Sequence, residues 1–331
     1  MKILVTGATG FIGRHLVKEL VRRRHDVTCL IRDINKIKYF KKLDVKTVHG
    51  DLFDEDSLKK AVKKKDIVYH LAAEGNLSAN SEEDFKKFFR VNAEGTRKIL
   101  EAVRKYGKKD IKKIVCFSST AAVGLKSKPV DETTKPKPIS PYQRSKFQAE
   151  KIAENYFKKY KMPVCIVRPS MVFGPYSIKS EILKMCKFIK KGIFILFNNG
   201  YNAIPLAYVE DVVNGTIIVG EKGKPGEIYF LTWDKVYTMN DIVSSISKAM
   251  NKKPFILRIP KFFSIPLAYI HQKTAIIFGF IPWITVERIK SMTTNRIFKV
   301  DKLKKLGYKP NSNLDKAIEK TVKWYYNNGF I

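Results

Sequence analysis

Tyr142 and Lys146 lie four residues apart in the run Pro141-Tyr142-Gln143-Arg144-Ser145-Lys146. The surrounding pattern predicts a helix over about 141–160, and residues four apart stack on one helical face. The two types suit a proton transfer coupled to hydride transfer. Reducing a ketone leaves an alkoxide that needs a proton, and oxidising an alcohol requires the reverse. A free phenol titrates near ~10, too high for an effective base at neutral pH. A neighbouring ammonium stabilises the phenolate and is expected to lower that value. Such a pair arises often by chance in a chain with 64 Lys and Arg residues, so its weight depends on where the rest of the sequence places it.

A second constellation sits at the N-terminus, Thr6-Gly7-Ala8-Thr9-Gly10-Phe11-Ile12-Gly13. It follows a short apolar run at 2–6 and opens an amphipathic helix over about 11–24, the context in which a glycine-rich turn binds phosphate. Gly7 permits the tight turn, Gly10 lets backbone approach a pyrophosphate, and Gly13 lets the helix pack against the strand. Amides at the helix N-terminus then face the anion.

The elements that must position these residues alternate along the first half of the chain. Apolar runs predict strands at 2–6, 26–31, 45–49, 67–71, 113–118 and 164–168, and helical periodicity predicts helices over about 11–24, 82–106 and 141–160. Strand–helix alternation implies an α/β fold, a doubly wound parallel sheet covered on both faces. After Pro169 the rhythm changes, so the division expected is 1–170 for dinucleotide binding and 171–331 for a smaller α+β substrate-binding region. Within the latter, 227–231 reads as a strand and 206–222 is expected to pack back on the first domain.

The glycine turn, with spacing G-x-x-G-x-x-G, resembles that of the extended short-chain dehydrogenases/reductases, also called the NAD-dependent epimerase/dehydratase superfamily. Further fragments resemble the same family in order and spacing: His49-Gly50-Asp51-Leu52, Tyr69-His70-Leu71-Ala72-Ala73, Val91-Asn92-Ala93-Glu94-Gly95-Thr96, Val167-Arg168-Pro169, Tyr208-Val209-Glu210-Asp211-Val212 and Leu306-Gly307-Tyr308-Lys309-Pro310. The resemblance covers nearly the whole chain and implies a Rossmann domain. It implies that Thr6, Gly7, Thr9, Gly10, Phe11, Ile12 and Gly13 hold the pyrophosphate, with Asp51 and Leu52 on the adenine side. Leu71, Ala72 and Ala73 border the pyrophosphate and ribose, Asn92 is structural or cofactor-side, and Pro169 lies beside the nicotinamide. Lys146 would also bind the nicotinamide ribose. Matching Gly124 to the family's glycine in Cys116-Phe117-Ser118-Ser119-Thr120-Ala121-Ala122-Val123-Gly124 gives Ser119 the task of holding the substrate oxygen beside Tyr142, with Ser118 and Thr120 as alternatives. Catalysis is thus expected from Ser119, Tyr142 and Lys146.

The second predicted strand ends Leu30-Ile31-Arg32-Asp33. Family members that use NAD usually carry an acidic residue where Ile31 stands, and Arg32 offers a guanidinium suited to a 2′-phosphate. The pattern resembles dihydroflavonol reductases, and NADP(H) is favoured over NAD(H).

Members acting on nucleotide sugars usually carry Asn where Met171 stands and an Arg-Asp-Phe segment where Ile204-Pro205-Leu206-Ala207 stands. With the apolar stretch 262–286, these departures point to a less polar alcohol or ketone. The alternative is a nucleotide-sugar epimerase or dehydratase in which Arg258, Arg288 and Arg296 supply the missing donors. A non-enzymatic dinucleotide sensor is disfavoured by the retained Tyr/Lys pair.

Four scattered cysteines, no C-x-x-C pair and an N-terminus that enters a strand directly predict a cytoplasmic protein without disulfides. The five histidines show no metal-ligand spacing. The net charge of +33 comes from dispersed lysines, with no basic block interleaved with aromatics, so nucleic acid is not an expected partner. The partners expected are a small-molecule substrate, a second copy in a homodimer as the resemblance implies, and the inner membrane surface through 262–286. The uninterrupted apolar run there, 275–286, falls short of the ~20 residues a spanning helix needs.

Overall fold

The computed structural model describes residues 1–75, 81–280, 282 and 284–331. Ile281 and Trp283, part of the apolar stretch 262–286, lie outside the described residues.

The first half alternates β1 (Lys2–Thr6), α1 (Phe11–Arg22), β2 (Asp26–Ile31), β3 (Lys46–His49), α2 (Glu55–Val62), β4 (Ile67–His70), α3 (Glu82–Phe88), α4 (Gly95–Tyr106), β5 (Lys113–Phe117), α5 (Pro141–Tyr160) and β6 (Val164–Pro169). The second half carries β7 (Met171–Phe173), α6 (Glu181–Lys190), β8 (Ile193–Phe197), β9 (Ala203–Ile204), β10 (Leu206–Tyr208), α7 (Val209–Lys222), β11 (Ile228–Leu231), β12 (Tyr237–Thr238) and α8 (Met239–Ala249). It ends with β13 (Phe255–Ile259), α9 (Lys261–Phe278), α10 (Val286–Thr293), α11 (Asp301–Lys304) and α12 (Leu314–Asn327).

Seven strands form one parallel sheet in the order β11-β6-β5-β4-β1-β2-β3. Its inner strands are apolar on both faces, as a sheet covered twice requires; Ile3, Leu4 and Val5 are all fully buried, whereas the edge strand β3 is largely exposed. The chain winds outward from β1 through β3, then returns to β4 on the other side of β1. That reversal opens a crevice at the carboxyl ends of β1 and β4, where ligands bind in such sheets. Helix α7 packs on α1 and on the sheet, and Val212, Val213, Ile217 and Val219 join the core of the first half. A second core gathers Ile182, Ile189, Ile242, Ile246, Ile318 and Tyr325 from α6, α8 and α12.

The expected helix over 82–106 is interrupted. A π-helical stretch at Phe89–Glu94 separates α3 from α4. The region after Pro169 also holds more strand than its pattern predicts, in the short pairs β7/β10, β9/β12 and β8/β13. Strands β7, β9, β10 and β12, of two or three residues, are too short to show alternation, and the five-residue β8 and β13 are almost wholly apolar rather than alternating. All four cysteines are free and buried.

Candidate active site

The turn between β1 and α1 is dictated by its glycines. Gly7 has φ +69°, and a Cβ there would stand 2.6 Å from the Ala72 nitrogen. A Cβ at Gly13 would stand 2.2 Å from the Gly7 carbonyl oxygen. Only glycine fits at either place. Gly10 is the N-cap of α1; no side chain caps the helix and no acidic residue occupies its first turn. The unpaired amides and positive end of the helix are therefore open to an anion. Thr9, Phe11 and Ile12 are half-buried beside them.

A buried polar chain leads away from this turn. The Thr6 hydroxyl lies 2.7 Å from His70 Nδ1 and accepts from the Ala72 amide at 3.3 Å. His70 Nε2 lies 3.2 Å from Thr96 Oγ1, whose own proton goes to the Asn92 carbonyl at 2.6 Å. Because Thr96 already donates, Nε2 carries the imidazole hydrogen and Nδ1 accepts from Thr6. Burial, reinforced by the charge of Lys146, pushes the imidazole down to about 3, so it stays neutral.

Asn92, in the π-helical stretch, commits its whole amide to protein. Its oxygen accepts from the Glu74 amide at 2.9 Å, and its nitrogen donates to the Glu74 carbonyl at 2.8 Å and to Ser145 Oγ at 2.9 Å. These bonds tie the backbone of Glu74 to the first turns of α5.

Helix α5 begins at Ser140, whose hydroxyl accepts from the Gln143 amide, with Pro141 in the first turn, a combination that fixes a helix start. Tyr142 and Lys146 follow on one face. Tyr142 is hydrogen-bonded to the Ser119 side chain, and Ser119 also accepts from the Ala121 amide at 3.1 Å. Lys146 is buried and donates to the Phe117 carbonyl at 2.6 Å. The tip of β5 and the first turns of α5 thus bring the three expected catalytic side chains to one place.

The electrostatics differ from expectation in one respect. Tyr142 is raised, not lowered, from its usual value: burial dominates, and the Ser119 hydrogen bond only opposes it. The Lys146 ammonium is directed at the Phe117 carbonyl, and burial brings Lys146 itself down to about 8 against the pull of Glu150. Glu150 in turn forms a buried two-pronged ion pair with Arg168 at 2.8 and 2.7 Å.

At the tip of β2, Ile31 is buried and the Arg32 side chain is 78% exposed, 3.9 Å from the Asp51 carboxylate. The Asp33 carboxylate caps a short 3-10 turn, accepting from the Asn35 amide at 3.1 Å. Asp51 also accepts from the Phe53 amide at 3.0 Å. Leu52 is a core residue, packed where a Cβ at Gly95 would stand 2.8 Å from it. Leu71 and Ala72 are half-buried and Ala73 exposed beyond β4, and buried Pro169 closes β6.

Four neighbours of the site carry no spacing signal in the sequence. Gly75 passes so close that a Cβ there would stand 2.6 Å from the Tyr142 ring. Phe88 meets that ring edge-on at 6.2 Å. Ser145, inside the Tyr/Lys run, donates to the Tyr142 carbonyl at 2.8 Å. Gln143 reaches Glu287 of α10 at 3.4 Å. On the substrate side, Ile204 is buried in the second core. Of the three arginines considered there, Arg296 lines a small cleft with Ile204, Pro205 and Trp233. Arg288 pairs with Glu181 at 2.8 Å and Arg258 donates to the Asn199 carbonyl at 2.6 Å.

The profile of the NAD dependent epimerase/dehydratase family matches residues 3–231. A dTDP-D-glucose 4,6-dehydratase of Mus musculus is 27% identical over 345 residues, covering 99% of this chain and 89% of the relative. A sterol-4-alpha-carboxylate 3-dehydrogenase, decarboxylating, of Mus musculus is 27% identical over 340 residues, covering 98% and 91%. The crystal structure of a UDP-glucuronic acid 4-epimerase from Bacillus cereus in complex with NAD superposes with a TM-score of 0.80 at 24% identity, covering 99% of each chain.

Proposed function

The chain belongs to the NAD dependent epimerase/dehydratase family, and from that premise we propose that it is an oxidoreductase interconverting a secondary alcohol and a ketone, with Tyr142 moving the proton. The observation that carries this reading is the meeting of Tyr142 and Ser119 above buried Lys146. The uncapped, acid-free N-terminus of α1 behind Gly7 and Gly13 fits a pyrophosphate, and Thr6 through Gly13 would hold it. When bound, the dinucleotide supplies or accepts the hydride.

The chain's own residues do the rest. Ser119 holds the substrate oxygen beside the phenol. Tyr142, raised by burial, keeps its proton at neutral pH and donates it to that oxygen as the carbonyl is reduced. Lys146, still mainly protonated near neutrality, orients the ribose and offsets the negative charge that develops on the phenol oxygen.

NADP(H) is the preferred dinucleotide. Exposed Arg32 at the tip of β2 supports this, as does an Asp33 carboxylate that is engaged in a cap. For the substrate, Met171 offers no hydrogen-bond donor to a diphosphate, which favours an apolar alcohol or ketone. The dehydratase and epimerase among the relatives favour a second reading, a nucleotide-sugar epimerase or dehydratase.

The test is turnover of hydroxysteroids, terpenoid alcohols and nucleotide sugars by the native enzyme and by Tyr142→Phe. Removing the proton donor is expected to lower kcat/KM by about 10²–10⁴-fold while dinucleotide binding persists. Undiminished turnover would refute the role of Tyr142. Sugar conversion without net cofactor consumption would select the second reading.

A further inference from the structure

Helix α9 is built inside out. Its buried residues are small, Ser264, Ala268 and Ala275, and its large apolar side chains point outward. Ile276, Ile277 and Phe278 are 77%, 74% and 76% exposed, and Phe262 and Phe263 at the other end are 69% and 60% exposed. A helix of a water-soluble surface shows the reverse pattern. Strand β13, which leads into α9 through Pro260, adds exposed Phe255 and Leu257. Contiguous apolar surface of this kind marks an interaction site.

The charge around it indicates what covers it. Between Asp241 and Glu287 the sequence holds no acidic residue, while Lys248, Lys252, Lys253, Arg258, Lys261 and Lys273 all fall there. A surface cleft of about 410 Å³ beside β13 is lined by Lys252, Lys253 and Arg258 with the polar side chains of Ser244 and Ser247. The 18-residue helix is about 27 Å long, and among the described residues no helix is long and apolar enough to cross a membrane. An apolar helix face in a stretch of chain whose only charges are basic matches a bilayer with anionic headgroups, in which such a helix lies flat.

We propose that α9 and β13 form a docking surface for an anionic lipid bilayer, with the outward side chains of α9 inserted below the headgroups. The fold holds this surface near the candidate active site. Ile289 of α10 packs with Ala268 of α9, the α10 amide of Val286 donates to Gln272 at 2.9 Å, and Glu287 of α10 meets Gln143 beside Tyr142. The inference goes beyond the proposed reaction and does not rest on it.

Flotation of the full chain with vesicles tests this. Vesicles of phosphatidylcholine alone are compared with vesicles containing about one third phosphatidylglycerol, at low and high salt. The protein is expected to float with the anionic vesicles at least tenfold more than with the neutral ones, and less at high salt. Two variants, Ile276→Ser/Ile277→Ser/Phe278→Ser and Phe262→Ser/Phe263→Ser, change only exposed positions and are expected to cut flotation severalfold each while the melting temperature holds. A native protein that stays in solution with anionic vesicles overturns the proposal, as do variants that float like the native protein. A native dimer that becomes monomeric in the first variant, read by light scattering, also overturns it, because a second copy then covers the face.

Discussion

The Asn92 amide donates to the Ser145 hydroxyl at 2.9 Å, and that hydroxyl donates to the Tyr142 carbonyl at 2.8 Å. The same Asn92 amide clasps the backbone of Glu74, next to Gly75, which lies against the Tyr142 ring. One side chain therefore braces both the first turn of α5 and the segment covering the phenol. Its polar side-chain atoms are engaged with protein, the arrangement a positioning residue would have.

Asn92→Ala should separate these effects kinetically. Loss of the brace lets the phenol drift from its productive place, and small displacements at a reacting centre are costly. A fall in kcat of about 10–100-fold is expected, with KM changed far less and dinucleotide affinity retained. The freed Glu74 backbone groups should also lower the unfolding free energy by about 1–3 kcal/mol. A variant whose kcat equals that of the native enzyme would show that the brace is dispensable.

The protonation states predict opposite pH profiles for the two directions. Burial raises Tyr142 above its usual value, so the phenol carries its proton throughout the neutral range. Ketone reduction, which uses that proton, should be flat from pH 6 to 7.5. Above about 8, where Lys146 loses its charge, reduction should decline. Alcohol oxidation needs the phenolate and should climb with pH across the same range. Initial rates in both directions from pH 6 to 10 check this; an oxidation rate independent of pH would contradict the assignment of Tyr142 as the base.

Arg32→Ala addresses the dinucleotide. Its guanidinium is largely exposed and held only by a long ion pair, 3.9 Å from Asp51, and a charge-assisted contact to a 2′-phosphate is worth about 1.5–3 kcal/mol. The substitution should therefore lower kcat/KM with NADPH by about tenfold or more, while kcat/KM with NADH changes little. An unchanged NADPH/NADH ratio would remove Arg32 from cofactor selection.

What the sequence made legible was what depends on local geometry. Gly7 and Gly13 were readable because a turn with positive φ and a close helix–strand approach each exclude a side chain. Tyr142 and Lys146 were readable because helical spacing puts them on one face. The π-helical stretch around Asn92 was hidden, because its local widening leaves the surrounding helical pattern of apolar residues intact. The burial of the Leu52 side chain was hidden too, because Gly95, 43 positions on, provides the gap it fills. The direction of the Tyr142 shift depends on how much protein surrounds the phenol, a tertiary property that a Tyr/Lys pair does not reveal.

His70 should make the protein sensitive to acid. It is fully buried and neutral between Thr6 and Thr96, and burial first, then the Lys146 charge, moves it from 6.5 in the ordinary range to about 3. Between these values the unfolded chain binds a proton at this position that the folded chain refuses. Where the unfolded state binds more protons, stability rises with pH. The contribution of His70 is therefore complete above pH 6.5 and is lost as pH falls toward 3, at about 1.4 kcal/mol per pH unit for one proton and up to about 5 kcal/mol in all. Carboxylates that are depressed in the fold, such as Glu19 beside Arg22 and Arg23 at about 2, add their own acid dependence to native and variant protein alike, so the difference between the two isolates the imidazole. His70→Gln, which keeps a neutral donor toward Thr96, is expected to be less stable at pH 7 and to lose less on acidification. Urea unfolding at pH 7, 5.5 and 4 measures this; native and variant curves that stay parallel across those three values would mean that the imidazole does not titrate against the fold.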